Sequence, residues 1–294
     1  MSKIEWTDKT INPVVGCTKI SEGCQNCYAE VMAKRLASME QTKAMYSGVV
    51  DSQGWTGKLN FDFEVMMKVI KNKKPTRYFV GSMTDLFHEN VKVEWLDHIF
   101  AVIMAASWHT FFVLTKRPER MREYFSEQGA NERVLGLSKK MVNQFILQGI
   151  RHPKHTQEGS NLWLGVTAEN QEMADQRIPI LLDTPAAHRF VSVEPMLGPV
   201  DLTFPCQFEH EENEGYGVEA LKGLDWVICG GESGRNARPI DPDWVLDLRY
   251  QCAEVGTPFF FKQWGGKNKA KSGRLIDGVE VMEYPDGINV EVAE

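Results

Sequence analysis

The chain has 294 residues, 43% of them hydrophobic and 25% charged, and a formal net charge of −7. This is a globular composition, long enough for one large α/β domain or two small ones, and no apolar run approaches the roughly 18 residues of a membrane-spanning helix. The acidic balance argues against broad, nonspecific nucleic-acid binding, though not against a local basic channel. The first residues, Met1 to Asp8, lack the apolar core of a signal peptide, so a cytoplasmic protein with no membrane partner is expected.

Short β-rich runs recur along the chain at Arg77 to Val80, Thr110 to Leu114, Leu162 to Val166, Arg189 to Val193, Trp226 to Cys229 and Pro258 to Phe261, with a weaker candidate for an earlier strand at Asn12 to Gly16. They are continuous rather than alternating, as in strands covered on both faces. Between them, Val91 to Ser107 carries Trp95, Ile99, Val102 and Ile103 at helical spacing. Asn170 to Leu182 reads as a helix that Pro179 should end or kink, and Asp241-Pro242 can cap a helix that Gly256 terminates. Strand–helix alternation of this kind predicts parallel β-structure with right-handed crossovers, a barrel or partial barrel. Glu127 to Ser160 is long for one connection, so an inserted helix around Met141 to Leu147 and a basic turn, Arg151 to His155, are expected there. His210 to Gly215 reads as a solvated loop. Residues 1–266 are assigned to the barrel domain, and 267–294 to a polar extension with a hairpin.

Every run gives way to polar or ionisable residues: Gly81 to Asp85, Thr115-Lys116-Arg117, Thr167-Ala168-Glu169, Glu194-Pro195, Gly230-Gly231-Glu232 and Lys262-Gln263-Trp264. Parallel strands of a barrel bring such ends to one rim, where barrel enzymes place their chemistry. Asp85, Lys116, Glu169, Glu194, Glu232 and Lys262 are therefore expected to line one pocket, with Glu194, Lys116 and Lys262 as catalytic candidates and Glu169, Glu194 and Glu232 as cofactor contacts. Pro195 biases Glu194 toward an extended conformation at its strand end; the competing reading is a structural salt bridge between Glu194 and a neighbour such as Lys116. Arg117 and Trp264 can stack on a base, or be salt-bridged and packed.

Six cysteines are present, three of them within eleven residues: Cys17, Cys24 and Cys27, spaced C-x6-C-x2-C. A cytosolic chain keeps them reduced. Cys206, Cys229 and Cys252 are scattered and read as small core hydrophobes. Thiolates are soft ligands for zinc, copper or iron–sulfur centres. A structural zinc takes four protein ligands, and the nearest histidine in sequence is His88. Three cysteines leave one iron of a cluster open to a substrate or cofactor, so an iron–sulfur cluster is the leading reading, ahead of zinc and of purely structural cysteines.

The segments Trp6-Thr7, Asn12 to Lys19, Cys24 to Glu30, Ser192 to Pro199 and Gly230 to Gly234 resemble the phage-associated three-cysteine-motif family of uncharacterised proteins, over residues 4 to 266. That family is itself similar to radical S-adenosylmethionine enzymes, with a partial (β/α)6 TIM barrel and three cysteines after the first strand. The resemblance implies a four-iron–four-sulfur (4Fe–4S) cluster on Cys17, Cys24 and Cys27. It also implies S-adenosyl-L-methionine as cofactor, an electron-donor protein or reductant, and a separate partner protein. Cleavage of the cofactor would generate a 5′-deoxyadenosyl radical. By position after the second of its strands, Ser82, Thr84 and Asp85 are candidates to hold the cofactor's amino group. The chain departs from the usual C-x3-C-x2-C spacing, and Tyr28 comes after the last cysteine where an aromatic residue usually precedes it. The substrate suggested by the phage setting and the basic, aromatic strand ends is a nucleobase, nucleotide or modified DNA. Two rivals are a non-catalytic iron–sulfur or zinc module acting with a partner protein, and a radical DNA-repair lyase.

Overall fold

Seven strands form one sheet in the computed structural model, which describes residues 4–147, 161–206, 218–286 and 288. They are β1 (Lys9–Ile11), β2 (Arg77–Val80), β3 (Thr110–Thr115), β4 (Leu162–Thr167), β5 (His188–Val193), β6 (Trp226–Cys229) and β7 (Phe259–Phe261). Hydrogen-bonded neighbours run in chain order from β1 to β7, and the β1–β2, β2–β3, β5–β6 and β6–β7 ladders are parallel. Strands β1 and β7 end the strand order, and this is a parallel α/β sheet of partial-barrel type. The main helices are α1 (Tyr28–Ala37), α2 (Glu64–Lys71), α3 (Val93–Ala105), α4 (Pro118–Ser126), α5 (Ala130–Leu147), α6 (Gln171–Asp183) and α7 (Pro242–Val255).

Three sequence expectations shift. The first sheet strand is Lys9–Ile11, upstream of Asn12 to Gly16. Proline has no N–H to give a ladder, and at Pro13 the chain leaves the sheet; Val14–Val15 then pairs antiparallel with Asn60–Phe61. The helix expected around Met141 begins at Ala130, just after Gly129 (φ 90°), and packs on α3. Helix α6 runs through Pro179 to Asp183, with Ile178, Leu181 and Leu182 buried around it. Other boundaries agree: α7 opens at Asp241, whose side chain accepts from Asp243 N–H, and stops at Gly256 (φ 77°). The basic turn Arg151 to His155 and the loop His210 to Gly215 lie outside the described residues.

The chain divides into two compact units: Met1–Ile20, Cys27–Leu164 and Thr184–Ala187 in the first, and Ser21–Asn26, Gly165–Asp183 and His188–Glu294 in the second. The first is built on aromatic strands. Phe111, Phe112 and Val113 are fully buried, and the Trp6 ring packs on Phe79 (5.1 Å) and Phe112 (5.4 Å). A satellite core of Val15, Ala29, Ala33, Tyr46, Val49 and Met83 anchors α1. In the second unit Phe190 lies over Gly165, where a Cβ would sit 2.5 Å from the ring. Trp226 packs on Phe260 and Tyr284, with ring centroids 5.9 and 5.4 Å away. The expected C-terminal hairpin is present, Leu275–Ile276 against Val279–Glu280. The chain beyond it returns antiparallel along β7, with Phe261 N–H donating to Val281 C=O (2.8 Å) and Glu283 N–H to Phe259 C=O (3.1 Å).

Candidate cofactor site at the cysteine loop

The loop that carries the three cysteines leaves the C-terminal end of β1 and ends at the start of α1. Its base belongs to the first unit and is tied to the segment after β2. The Asn12 side-chain oxygen accepts from Ser82 Oγ (3.1 Å) and Met83 N–H (3.0 Å). Thr84 Oγ1 donates to Gly16 C=O (2.7 Å), and Gly16 N–H donates to Met83 C=O (3.1 Å). Gly16 is required here: its φ is 108°, and a Cβ would stand 2.2 Å from Lys58 C=O. Ser82 and Thr84, singled out as candidates to hold the cofactor's amino group, also tether the loop base.

Beyond Cys17 the loop meets a polar cluster on the ends of β2 and β3. Arg117 Nη2 donates to Thr18 Oγ1 (2.7 Å), Nη1 to Asp85 (3.1 Å) and Nε to Glu89 (3.2 Å). Asp85 also accepts from Phe87 N–H (3.0 Å), Thr115 Oγ1 (2.7 Å) and Lys116 N–H (2.9 Å). A carboxylate has about four lone-pair sites, so protein donors fill Asp85. One of these donors is the Arg117 guanidinium, which Asp85 thereby holds in place. His88, wholly buried, accepts from Asn90 N–H through Nδ1 (3.0 Å). Its proton therefore lies on Nε2, 3.0 Å from Thr18 Oγ1. Burial and then the Arg117 charge push His88 below the ordinary histidine range. Burial works against the Arg117 charge, but Asp85 and Cys17 outweigh it and raise the guanidinium above its usual value.

Cys27 is the N-cap residue of α1. The helix buries Ala29 and Ala33 in the satellite core, against which Cys27 is itself partly packed. Glu30 is held by Lys19 (2.9 Å) and Lys34 (3.4 Å). The sulfur of Cys27 therefore sits where the N-terminal dipole of a helix favours a thiolate.

The middle of the loop, Ser21 to Asn26, belongs to the second unit. Glu22–Cys24 forms a 3-10 turn with no buried residue, so polar contacts hold it. Glu169, fully buried at the end of β4, accepts from Ser21 Oγ and from Gly23 N–H (3.3 Å), and is backed by Arg177 Nη1 (2.8 Å). Glu232, after β6, accepts from Asn26 Nδ2 (2.9 Å) and from Arg238 through its backbone N–H (2.9 Å), Nε (3.0 Å) and Nη2 (2.7 Å). Burial pushes Glu232 up, but the Arg238 and Asn26 hydrogen bonds outweigh it and hold the carboxyl below the usual range. Glu169 and Glu232, expected as cofactor contacts, both bond the loop. Arg238 and Arg177 were missed in the sequence. Neither comes directly after a strand, and only the fold shows what they grip.

Glu194 and Lys262 form a close pair, Nζ to Oε1 2.6 Å. This is a salt bridge of the kind anticipated for Glu194, made here by Lys262. Both side chains border Gly230, where a Cβ would lie 3.3 Å from Lys262 Cβ and 3.5 Å from Glu194 Cδ; the Glu194–Pro195 peptide is cis. Lys116 is half-buried in the first unit. Trp264 is packed rather than presented: its ring centroid lies 4.6 Å from that of Phe261, and Nε1 donates to Leu275 C=O (2.9 Å).

The three loop cysteines are half-buried and outside any disulfide, whereas Cys229 and Cys252 are buried. Burial pushes the Cys229 thiol up and the Cys252 thiol up to about 12, as suits inert core residues. Among the described residues, no group of three or more His, Cys, Asp or Glu side chains is arranged to hold a metal ion. No helix among them is long and apolar enough to cross a membrane.

Fold and loop together define an α/β partial-barrel protein with a thiol-bearing loop built onto its strand ends. The chain belongs to the family described as a protein of unknown function, DUF5131, whose model matches residues 1–285. A solved structure of a spore photoproduct lyase point mutant superposes with a TM-score of 0.42 at 9% identity, covering 85% of this chain and 75% of that one. No curated protein sequence matches the chain.

Proposed function

We propose that the protein is an iron–sulfur enzyme of the radical S-adenosylmethionine type. In this reading Cys17, Cys24 and Cys27 hold a 4Fe–4S cluster, and the substrate is a nucleobase, nucleotide or modified DNA. The observation that carries it is how the loop is held. Each of its non-cysteine polar side chains, Thr18, Lys19, Ser21, Glu22, Gln25 and Asn26, is bonded to another part of its own unit. A loop fixed so completely by its other residues supports a role for its three thiols.

The donor set fits the group. Three soft thiols match an iron–sulfur centre with one open iron and fall one short of a structural zinc site. The Arg117 charge beside Cys17 and the helix start at Cys27 both favour thiolates. A bound cluster supplies one-electron reduction of S-adenosylmethionine, with the electron coming from a reductant or donor protein. The chain's own residues fix the loop and offer polar contacts. Lys262 has two further N–H groups and Glu194 a second oxygen beyond their mutual bond, suited to a carboxylate, an amino group or ribose hydroxyls. Glu194, Lys262 and Lys116 are the side chains assigned to substrate or cofactor.

The test is anaerobic reconstitution and then assay of iron, sulfide and visible absorption, with each loop cysteine replaced by Ala in turn. Loss of absorption and of most iron in every variant is expected; stoichiometric zinc with no iron in the native protein overturns the proposal. Incubating the reduced protein with S-adenosylmethionine, and candidate nucleotides in turn, should then yield 5′-deoxyadenosine. Iron without that product leaves the non-catalytic module acting with a partner protein.

A further inference from the structure

We infer that Arg238, forked onto Glu232, is a positioning residue that fixes the Cys24 turn, and with it the direction in which the Cys24 sulfur is presented to a cluster. The inference rests in its second half on the iron–sulfur reading; its first half concerns the apoprotein alone.

The turn lacks any apolar anchor, since none of Glu22, Gly23 and Cys24 is buried. Within it Cys24 N–H donates to Ser21 C=O and Gln25 N–H to Glu22 C=O, both 3.0 Å, and Ser21 Oγ lies 3.7 Å from Cys24 Sγ. Such local bonds do not orient a turn against the rest of a protein. External grips do so from two sides. Glu169 holds the leading half at Ser21 and Gly23. Arg238 holds the trailing half: Nη2 donates to Glu22 C=O (3.1 Å), and Nη1 to Glu22 Oε1 (3.0 Å) and Gln25 Oε1 (3.3 Å). Cys24 lies between these points.

Arg238 is itself locked. Its Nε and Nη2 fork onto the two oxygens of Glu232 at 3.0 and 2.7 Å, and its own N–H adds a third bond at 2.9 Å. Glu232 is 5% exposed, and its remaining bond is to Asn26, the residue before Cys27. The fork fixes the plane of the guanidinium, which a lysine ammonium cannot reproduce. Glu232 in turn is set by close backbone packing after β6: a Cβ on Gly231 would stand 2.2 Å from Trp264 C=O, and one on Gly265 2.2 Å from Glu232 C=O. The Gly-Gly-Glu triplet thus serves close strand-end packing and the seating of one arginine. Arg238 belongs to no helix or strand, and each of its side-chain bonds is spent on Glu232 or the turn.

The experiment compares native protein with Arg238→Gln, Arg238→Lys and the milder Glu22→Gln/Gln25→Ala, whose side chains lie at the exposed edge of the turn. In the apoprotein, alkylation of each loop cysteine is tracked by mass spectrometry, and amide exchange is measured over 21–26. Loss of two or more charge-assisted bonds should speed Cys24 alkylation and local exchange about tenfold or more in Arg238→Gln. Arg238→Lys should recover only part of this, the double variant should show about two- to fivefold, and Cys17 should be unchanged. Unchanged Cys24 alkylation and exchange in Arg238→Gln and the double variant overturns the inference, as does full rescue by lysine. After reconstitution, the electron paramagnetic resonance spectrum of the reduced cluster should shift in Arg238→Gln at equal iron content. An identical spectrum overturns the part that concerns the cluster. Native protein that takes up no iron sinks the iron–sulfur reading, while the alkylation result still decides the clamp.

Discussion

At the scale of single residues, Gly16 and Asp85 are the positions on which the base of the loop depends. Gly16 has a positive φ and no room for a Cβ beside Lys58 C=O. Gly16→Ala should cost about 1–2 kcal/mol for the left-handed backbone alone, with displacement of the loop added. The expected result is a lowered melting temperature and faster amide exchange over residues 14–18. Asp85 accepts from four donors, one of them the Arg117 guanidinium. Asp85→Asn would turn an amide toward donors and leave Arg117 with the exposed Glu89 as its carboxylate partner, a loss worth about 1–3 kcal/mol. Denaturant unfolding should read this as a lowered midpoint with an unchanged slope. These roles were only half legible in the sequence. Position after a strand flagged Asp85, but carboxylates that face a ligand and those that face a neighbouring loop look alike until the donors around them are in place.

At the scale of elements, the histidine just before β3 gives a pH test of the first unit. His109 is 2% exposed, among Tyr78, Trp108 and Phe111 with ring centroids 5.1, 5.2 and 6.0 Å away. Its Nε2 lies 3.1 Å from Val69 C=O, and Nδ1 has no hydrogen-bond partner among the described residues. Burial pushes it below the ordinary value of 6.5, the bond to the Val69 carbonyl offsetting this only in part. Below the ordinary value the unfolded chain binds a proton that the folded one refuses. The contribution is therefore complete above about pH 6.5 and is lost as pH falls through the folded value, with a slope of at most about 1.4 kcal/mol per pH unit. His109→Gln retains a donor to Val69 and should flatten the fall in unfolding free energy between about pH 7 and pH 5. An unchanged slope would place the proton uptake elsewhere. The strands themselves were readable because buried parallel strands are continuous apolar runs, and α7 because its cap, proline and terminal glycine are all local signals. Helix α5 was foreshortened because its buried face, Ala130, Val134 and Ser138, is too sparse in large apolar residues to mark where it begins.

At the scale of the molecule, each unit carries its own core, and the second is finished by the chain's C-terminal segment. The segment after the hairpin pairs with β7 and lays Tyr284 on Trp226 and Phe260. Ending the chain after Gly266 would expose the hydrogen-bonding edge of Phe259–Phe261 and uncover that aromatic cluster. Unpaired edges of this kind template association. The truncated protein should melt lower and sediment partly as aggregate, whereas a monomer of native stability would show that the segment is dispensable.

The sequence by itself determined the parallel α/β class, most strand positions and the crowding of three thiols after the first strand. Each comes from local facts: apolar continuity, capping residues and ligand spacing. Only the tertiary structure decided what the strand-end residues touch. It tied Ser82, Thr84, Glu169 and Glu232 to the loop, set Asp85 behind Arg117, and paired Glu194 with Lys262. It also brought Arg238 to a turn 216 positions from it in the chain. Hydrogen-bond partners at such separations are set by where strand ends converge, and no local pattern encodes that convergence.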